Sequence, residues 1–266
     1  MLNLLRMDLY RMWRSKSVYV CLVCLLAMAV VCYGLVWLMG TPQGQQAAMR
    51  IGILEEEDAE ATMLEGVDTL VMYRQTCMDG GMYSVVLGIW VMLFVCMDYQ
   101  SGFLKNIMAI YKNRWNYVGS KVLTAGLLNF VYLLLQLFFI LLLNRLFGNM
   151  VPYTGAKSLL FYLSWVWLLT TAFAAMVILI SVWTRSVAAG ALMAVLVGGG
   201  VIPRALYGIL NTFHAAGWMK YTLYMSIQQG AGSYTSPADL YVYGVGGVFL
   251  VLYTVVAGLV LRRQDI

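Results

Sequence analysis

Six apolar runs constrain this chain more than any other feature: 18–39, 81–97, 122–143, 159–182, 187–202 and 240–261. Hydrocarbon offers no water to backbone N–H and C=O groups, so a segment that crosses a bilayer must be helical or belong to a closed barrel. These runs are too long, and alternate too little, to be barrel strands. A helix needs about 20 residues to cross, within a range of about 17–25. Four runs meet that length easily, and 81–97 just reaches it. The fifth, VAAGALMAVLVGGGVI, is short and ends in a glycine run before Pro203-Arg204. It spans only if it continues past Pro203 or if its surroundings are irregular. Composition agrees: 11% of residues are charged, where soluble domains run at about 25%. The expected fold class is an all-α integral membrane protein of six transmembrane helices, one transmembrane domain over 1–266.

The first run follows a basic flank, as a secretory signal would. Val18–Met39 is longer than the roughly 7–15 residues of a signal's apolar region, and no small-residue cleavage site follows closely. A retained helix is expected. With the N-terminus inside, eleven of the seventeen Lys and Arg residues fall on the inner side. The positive-inside rule then places both termini in the cytoplasm, and six crossings return the chain to that side. The net charge of +5 reports orientation and contact with anionic lipid; no nucleic-acid partner is expected. The outer loop 40–80 carries eight acidic residues against Arg50 and Arg74. It is expected to be partly helical: a solvated acidic helix, or else a vestibule lid or a docking surface for a cationic molecule.

Catalytic chemistry finds little to work with. The single histidine, His214, cannot supply a zinc or haem ligand set. No G-x-S-x-G occurs for a serine nucleophile. Cys21-x-x-Cys24 has redox spacing but lies within the first span, where small apolar packing is expected. Of the five cysteines, only Cys77 falls in an expected aqueous loop. No G-x-x-x-x-G-K-[ST] is present, so the chain does not bind and split ATP in the usual way. No catalytic residue, metal or cofactor is expected, and an intramembrane enzyme is the weakest reading. The six apolar cores hold no Asp, Glu, Lys, Arg or His, which argues against an ion-coupled carrier. Their strongest polar feature is Asn129 with Gln136, seven residues apart and so on nearly one helix face, with Tyr132 nearby. They read as interhelical hydrogen-bonding groups or as lining of a translocation path.

Two further segments are amphipathic. In 1–17, Leu2, Leu5, Leu9, Met12 and Trp13 share one side, with Arg11 and Arg14 opposite. An interfacial helix with Trp13, Arg11 and Arg14 as anchors is expected. In 98–121, DYQSGFLKNIMAIYKNRWNYVGSK, the residues Phe103, Leu104, Ile107, Met108, Ile110 and Tyr111 fill one half of a helical wheel. Lys105, Asn106, Lys112 and Asn113 fill the other. Gly102 and Gly119 flank the segment and permit turns. Such a helix buries one face and offers the other to the cytoplasm. Beside the missing ATP site, it suggests a surface that receives force from a separate ATPase.

In this order of features the chain resembles permeases of the type-2 ABC transporter family. The resembling features are an N-terminal elbow helix in LNLLRMDLYRMWRSKS, a large outer loop, a cytoplasmic coupling helix between spans two and three, and an outer re-entrant region at 203–239, where VIPRALYGILNTFHAAGWMKYTLY (201–224) suits short re-entrant helices. Asp98, Gly102, Arg114 and Lys121 stand where that family carries an acidic residue (usually Glu), a glycine, an arginine- or serine-bearing turn and a lysine opening span three. DLYRMWRSKS and SGFLKNI also resemble small permeases of Gram-positive bacteria. The resemblance implies a plasma-membrane permease subunit, in a dimer with an identical or different permease and two ABC ATPase subunits. It implies an exporter working by alternating access. Asp98, Gly102, Lys105, Asn106, Lys112, Arg114 and Lys121 would then form the ATPase-coupling surface. Gly190, Ala194 and Gly198 at four-residue spacing suit close helix packing, across a dimer or within one bundle. The competing reading is a membrane scaffold or immunity protein that acts by binding alone.

Overall fold

The computed structural model describes residues 2–51, 67–110 and 113–264, and every regular element among them is helical. Helix α1 (Leu2–Arg14) leads into α2 (Lys16–Gly40), and α3 (Pro42–Ile51) follows. A short helix, α4 (Thr69–Tyr73), runs through a π turn at Arg74–Met78 into α5 (Met82–Gln100). Helix α6 (Phe103–Ile110) precedes the two longest elements, α7 (Trp115–Leu146) and α8 (Ala156–Thr184). Helices α9 (Val187–Met193), α10 (Val201–Thr212) and α11 (Leu223–Gln229) lead to α12 (Tyr241–Arg263). Five helical stretches are long and apolar enough to cross a membrane: Lys16–Gly40, Thr69–Gln100, Trp115–Leu146, Ala156–Thr184 and Pro237–Arg263. A sixth exists if the bent pair Val187–Gly198 and Val201–Thr212 counts as one span.

Helix α8 is the hub. Its 18-residue apolar window is 78% buried, against 22% for α2 and α12, which leave most of their surface outside the bundle. Trp165, Val166, Leu169, Phe173 and Val177 of α8 sit in one core with Leu87, Trp90 and Val91 of α5 and Leu128 of α7. Since lipid is as apolar as these side chains, such packing rests on dispersion and close fit rather than on expulsion of water.

The fifth apolar run does continue past Pro203, with a bend of 46°. A π turn at Ala194–Gly198 widens the helix before the break, and Gly200 sits at φ +81°. Only glycine takes that conformation without strain. Pro203 is tolerated because it lies in the first turn of α10, where backbone N–H groups have no helical partner. The small stripe packs within the chain. A Cβ on Gly190 would stand 2.4 Å from Met92 Cγ, one on Gly198 2.8 Å from Phe173 Cζ, and one on Gly88 2.8 Å from Ala194 Cβ. The stripe is therefore occupied by α5 and α8.

The stretch before α5 differs from the loop expected there. Leu70, Met72, Tyr73, Cys77 and Met78 are buried. Thr69 Oγ1 donates to the Pro152 carbonyl at 2.8 Å, and Arg74 Nη1 donates to the Gly230 carbonyl at 3.1 Å. Residues 69–78 are thus a packed lead-in to the second span, because their apolar side chains find the bundle rather than water. The acidic residues Glu55 to Glu65 lie outside the described residues.

Candidate functional site

Helix α1 repeats Leu4, Asp8 and Met12 at four-residue spacing, and this stripe is buried. Residues four apart stack on one helix face, so a carboxylate is carried inward between two apolar neighbours. Helix α5 places Phe94 and Asp98 on one face by the same spacing. Helix α7 opens with Tyr117, Ser120 and Lys121, all buried. The three faces converge at one end of the bundle.

There, Lys121 Nζ lies 2.8 Å from Asp8 Oδ1 and 2.7 Å from Asp98 Oδ2. All three side chains are essentially inaccessible, and among the described residues they are the only charged ones buried to that degree. Ser120 Oγ donates to Asp8 Oδ2 at 2.5 Å, and Tyr117 OH donates to Asp98 Oδ2 at 2.9 Å. Arg11 Nη2 stands 2.7 Å from Asp98 Oδ1 as an ion pair without hydrogen-bond alignment, its side chain 29% exposed. The Arg11 guanidinium lies 4.0 Å from the Phe103 ring centroid, and Lys121 Nζ lies 3.8 Å from that of Phe94. Two carboxylates and two cations leave the cluster formally neutral. Buried charges persist when they are paired and hydrogen-bonded, and here every charge has an opposite partner.

The cluster joins α1, α5 and α7, and through Phe103 it reaches α6. Gly102, at φ +68°, makes the turn between α5 and α6. Helix α6 buries Leu104 and Ile107 and leaves Lys105 and Asn106 exposed, so the expected two-faced helix forms. Tyr111 and Lys112 lie outside the described residues.

Asp98 and Lys121, expected on a coupling surface, are instead internal, because each is the other's counter-charge. Arg114 is also engaged. Its Nη1 donates to the carbonyls of Leu261 and Gln264 at 2.7 Å and of Arg262 at 3.1 Å. These lie at the C-terminus of α12, where helix carbonyls lack intrahelical donors and a cation is favoured. Trp115 presses the same joint: a Cβ on Gly258 would lie 2.3 Å from its Cζ3. Gln264 Nε2 then donates to the Val182 carbonyl of α8 at 2.9 Å. Of the expected N-terminal anchors, Trp13 is exposed and Arg14 is exposed with Nη1 donating to Tyr10 OH at 2.7 Å. Arg11 turns to the protein, drawn by Asp98 and Phe103.

Asn129 ties three helices. Its Nδ2 donates to Thr170 Oγ1 at 2.8 Å, Thr171 Oγ1 at 2.9 Å and the Trp167 carbonyl at 3.1 Å, and its Oδ1 accepts from Tyr83 OH at 2.6 Å. Gln136 is buried, and its Oε1 has no partner among the described residues. Tyr132 OH donates to the Val18 carbonyl of α2 at 2.7 Å.

Sequence reasoning passed over Asp8, Ser120 and Tyr117. Asp8 left a signal: a lone carboxylate four residues from both Leu4 and Met12 in an otherwise basic flank. Ser120 and Tyr117 left none, since hydroxyls occur on either face of such helices.

The fold and this cluster define a bundle of apolar helices with a charged joint at one end. No protein-family model matches the sequence, and no curated protein matches it.

Proposed function

We propose that this chain is the membrane-spanning permease subunit of an ATP-binding cassette transporter, an exporter that moves its substrate by alternating access driven by a separate ATPase. One observation carries the reading. Helix α6 buries Leu104 and Ile107 in the bundle end, exposes Lys105 and Asn106, and is linked through Phe103 and Arg11 to the Asp8–Lys121–Asp98 cluster. A displacement of α6 would therefore be felt at once by α1, α5 and α7, as a lever requires, since packed and ion-paired helices shift between discrete arrangements.

In this reading α1 is an elbow helix in the membrane interface and α6 is the coupling helix. The charged end of the bundle and both termini face the cytoplasm of a bacterial cell. A second permease subunit, identical or different, completes the membrane part. The ATPase-facing surface narrows to Lys105 and Asn106, with Lys112 still expected there. Asp98, Lys121 and Arg114 act behind it by holding the lever to its supports. ATP hydrolysis belongs to the partner.

The test is coexpression of this chain with ABC ATPases from the same genome, keeping the one that copurifies with the parent chain; copurification of none would overturn the reading. Lys105→Glu with Asn106→Glu should reduce copurification of the ATPase and ATP-driven export, while membrane insertion and thermal stability stay as in the parent. Unchanged copurification and export would overturn the reading.

A further inference from the structure

At a distance from the charged joint, the bundle forms a partly open cavity of about 300 Å³. Its walls include Phe173 of α8, Ile202 and Pro203 beyond the break in the fifth run, Leu223 and Tyr224 of α11, and Phe249 of α12. Ser84 near the start of α5 also reaches it. Fourteen residues of helix separate Ser84 from Asp98, about 21 Å along the axis, so the cavity and the cluster lie toward opposite ends of α5.

Three features bear on what fills this space. The walls are mostly apolar, with hydroxyls only on Ser84, Thr222, Tyr224 and Tyr253, so water would find few hydrogen-bond partners there. Left empty, the walls would forfeit dispersion contacts along their whole length. The rim also faces outward: Ile202 and Leu206 line the cavity and are exposed large apolar residues on α10. In a bilayer the neighbour at such a rim is lipid.

The polar groups at the wall are few and fit the upper part of a lipid. Tyr224 is 6% exposed, and its hydroxyl has no hydrogen-bond partner among the described residues. That hydroxyl is seated against Gly200, where a Cβ would stand 2.1 Å from it. The Arg204 guanidinium lies 5.8 Å from the Tyr224 ring centroid and is exposed. Tyr207, Phe213, Trp218 and Tyr221 are exposed on α10 and the turn that follows, as residues at a headgroup boundary commonly are. An apolar slot thus has one buried hydroxyl-bearing ring in its wall and an exposed cation beside that ring.

We infer that this cavity holds one acyl chain of a membrane phospholipid, with the Tyr224 hydroxyl donating to an ester oxygen and Arg204 facing the phosphate. The site is a resident lipid site between the broken fifth run, α8 and α12. It stands apart from the transport reading and survives if that reading fails.

The experiment uses the full chain reconstituted in phospholipid vesicles containing phosphatidylglycerol with a diazirine on one acyl chain. A parallel sample contains diazirine-labelled palmitic acid instead. After irradiation, adducts are mapped by peptide mass spectrometry. The expected result is phospholipid adducts concentrated in 197–206 and 219–227, above those on the outward-facing surface of α7 at 127–138, and suppressed by excess unlabelled phosphatidylglycerol. Val197→Phe and Ile202→Trp, which fill the space, should each bring labelling down to the level of 127–138. Tyr224→Phe removes only the unpartnered hydroxyl. It should keep the fold and the fatty-acid labelling, and lose phospholipid retention on detergent washing. Labelling by the free fatty acid alone would overturn the phospholipid assignment. Even labelling of all lipid-facing helices, insensitive to both filling variants and to competition, would overturn the site. The competition arm needs no variant, so a filling variant that fails to fold leaves the test intact.

Discussion

Lys121 Nζ sits between Asp8 Oδ1 at 2.8 Å and Asp98 Oδ2 at 2.7 Å, so a single ammonium joins the N-terminal helix to the end of the second long helix. With all three side chains inaccessible, removing one partner exposes another to unpaired burial. Lys121→Met should cost about 3–5 kcal/mol, measured by chemical unfolding of the detergent-solubilised protein. The triple change Asp8→Asn, Lys121→Met and Asp98→Asn should recover most of that loss, because no buried carboxylate is then left without a cation. Arg11, partly exposed, can turn to solvent. A triple variant no more stable than Lys121→Met would show that the pairing is not what the single change disrupts.

Arg114 clasps the last carbonyls of α12 from the start of α7. Arg114→Gln should cost about 1.5–3 kcal/mol, the usual worth of hydrogen bonds to a charged group. Hydrogen exchange should accelerate in 258–264 and remain unchanged in 241–250. Uniform acceleration along α12 would mean that the clasp holds the whole helix rather than its end.

Asn129 is the acceptor for Tyr83 and a donor to Thr170 and Thr171. Asn129→Leu should cost about 0.6–2 kcal/mol, the range for interhelical hydrogen bonds within apolar bundles. The double-mutant cycle with Tyr83→Phe should show coupling, since the two changes remove one shared bond. Strict additivity in thermal melts would deny the bond an energetic role.

Gly200 has φ +81°, and an added Cβ would meet Tyr224 OH at 2.1 Å. Gly200→Ala should destabilise by about 1–3 kcal/mol, from strain and overpacking together. Gly247, in α12 with nothing among the described residues within 4 Å of an added Cβ, serves as the control. Gly247→Ala should leave stability within about 0.5 kcal/mol or raise it slightly. Melting temperatures of the pair in one detergent decide this.

Cys77 is buried among apolar neighbours. In a variant that keeps only this cysteine, a membrane-impermeant maleimide should fail to label native protein from either side and should label it fully after denaturation. Rapid native labelling would return Cys77 to an aqueous loop.

Lengths and periods along the chain already determined much of this protein. Apolar runs such as 122–143 and 159–182 can satisfy their backbones in hydrocarbon only as helices, and the half-wheel of 103–108 could bury only one side. Those are local properties, written in residue order. Tertiary structure alone decided which flanking charges are interior. Asp8 and Lys121 are 113 residues apart, and nothing local marks them as partners. Lys121 reads as a positive-inside flank and Asp98 as a loop residue until α1, α5 and α7 pack at one end, where the cost of burying each charge is met by the other. The same holds for Arg114, which looked free for a partner and is consumed by the carbonyls of α12. Periodicity assigns a residue to a face; only the packing of helices assigns that face a neighbour.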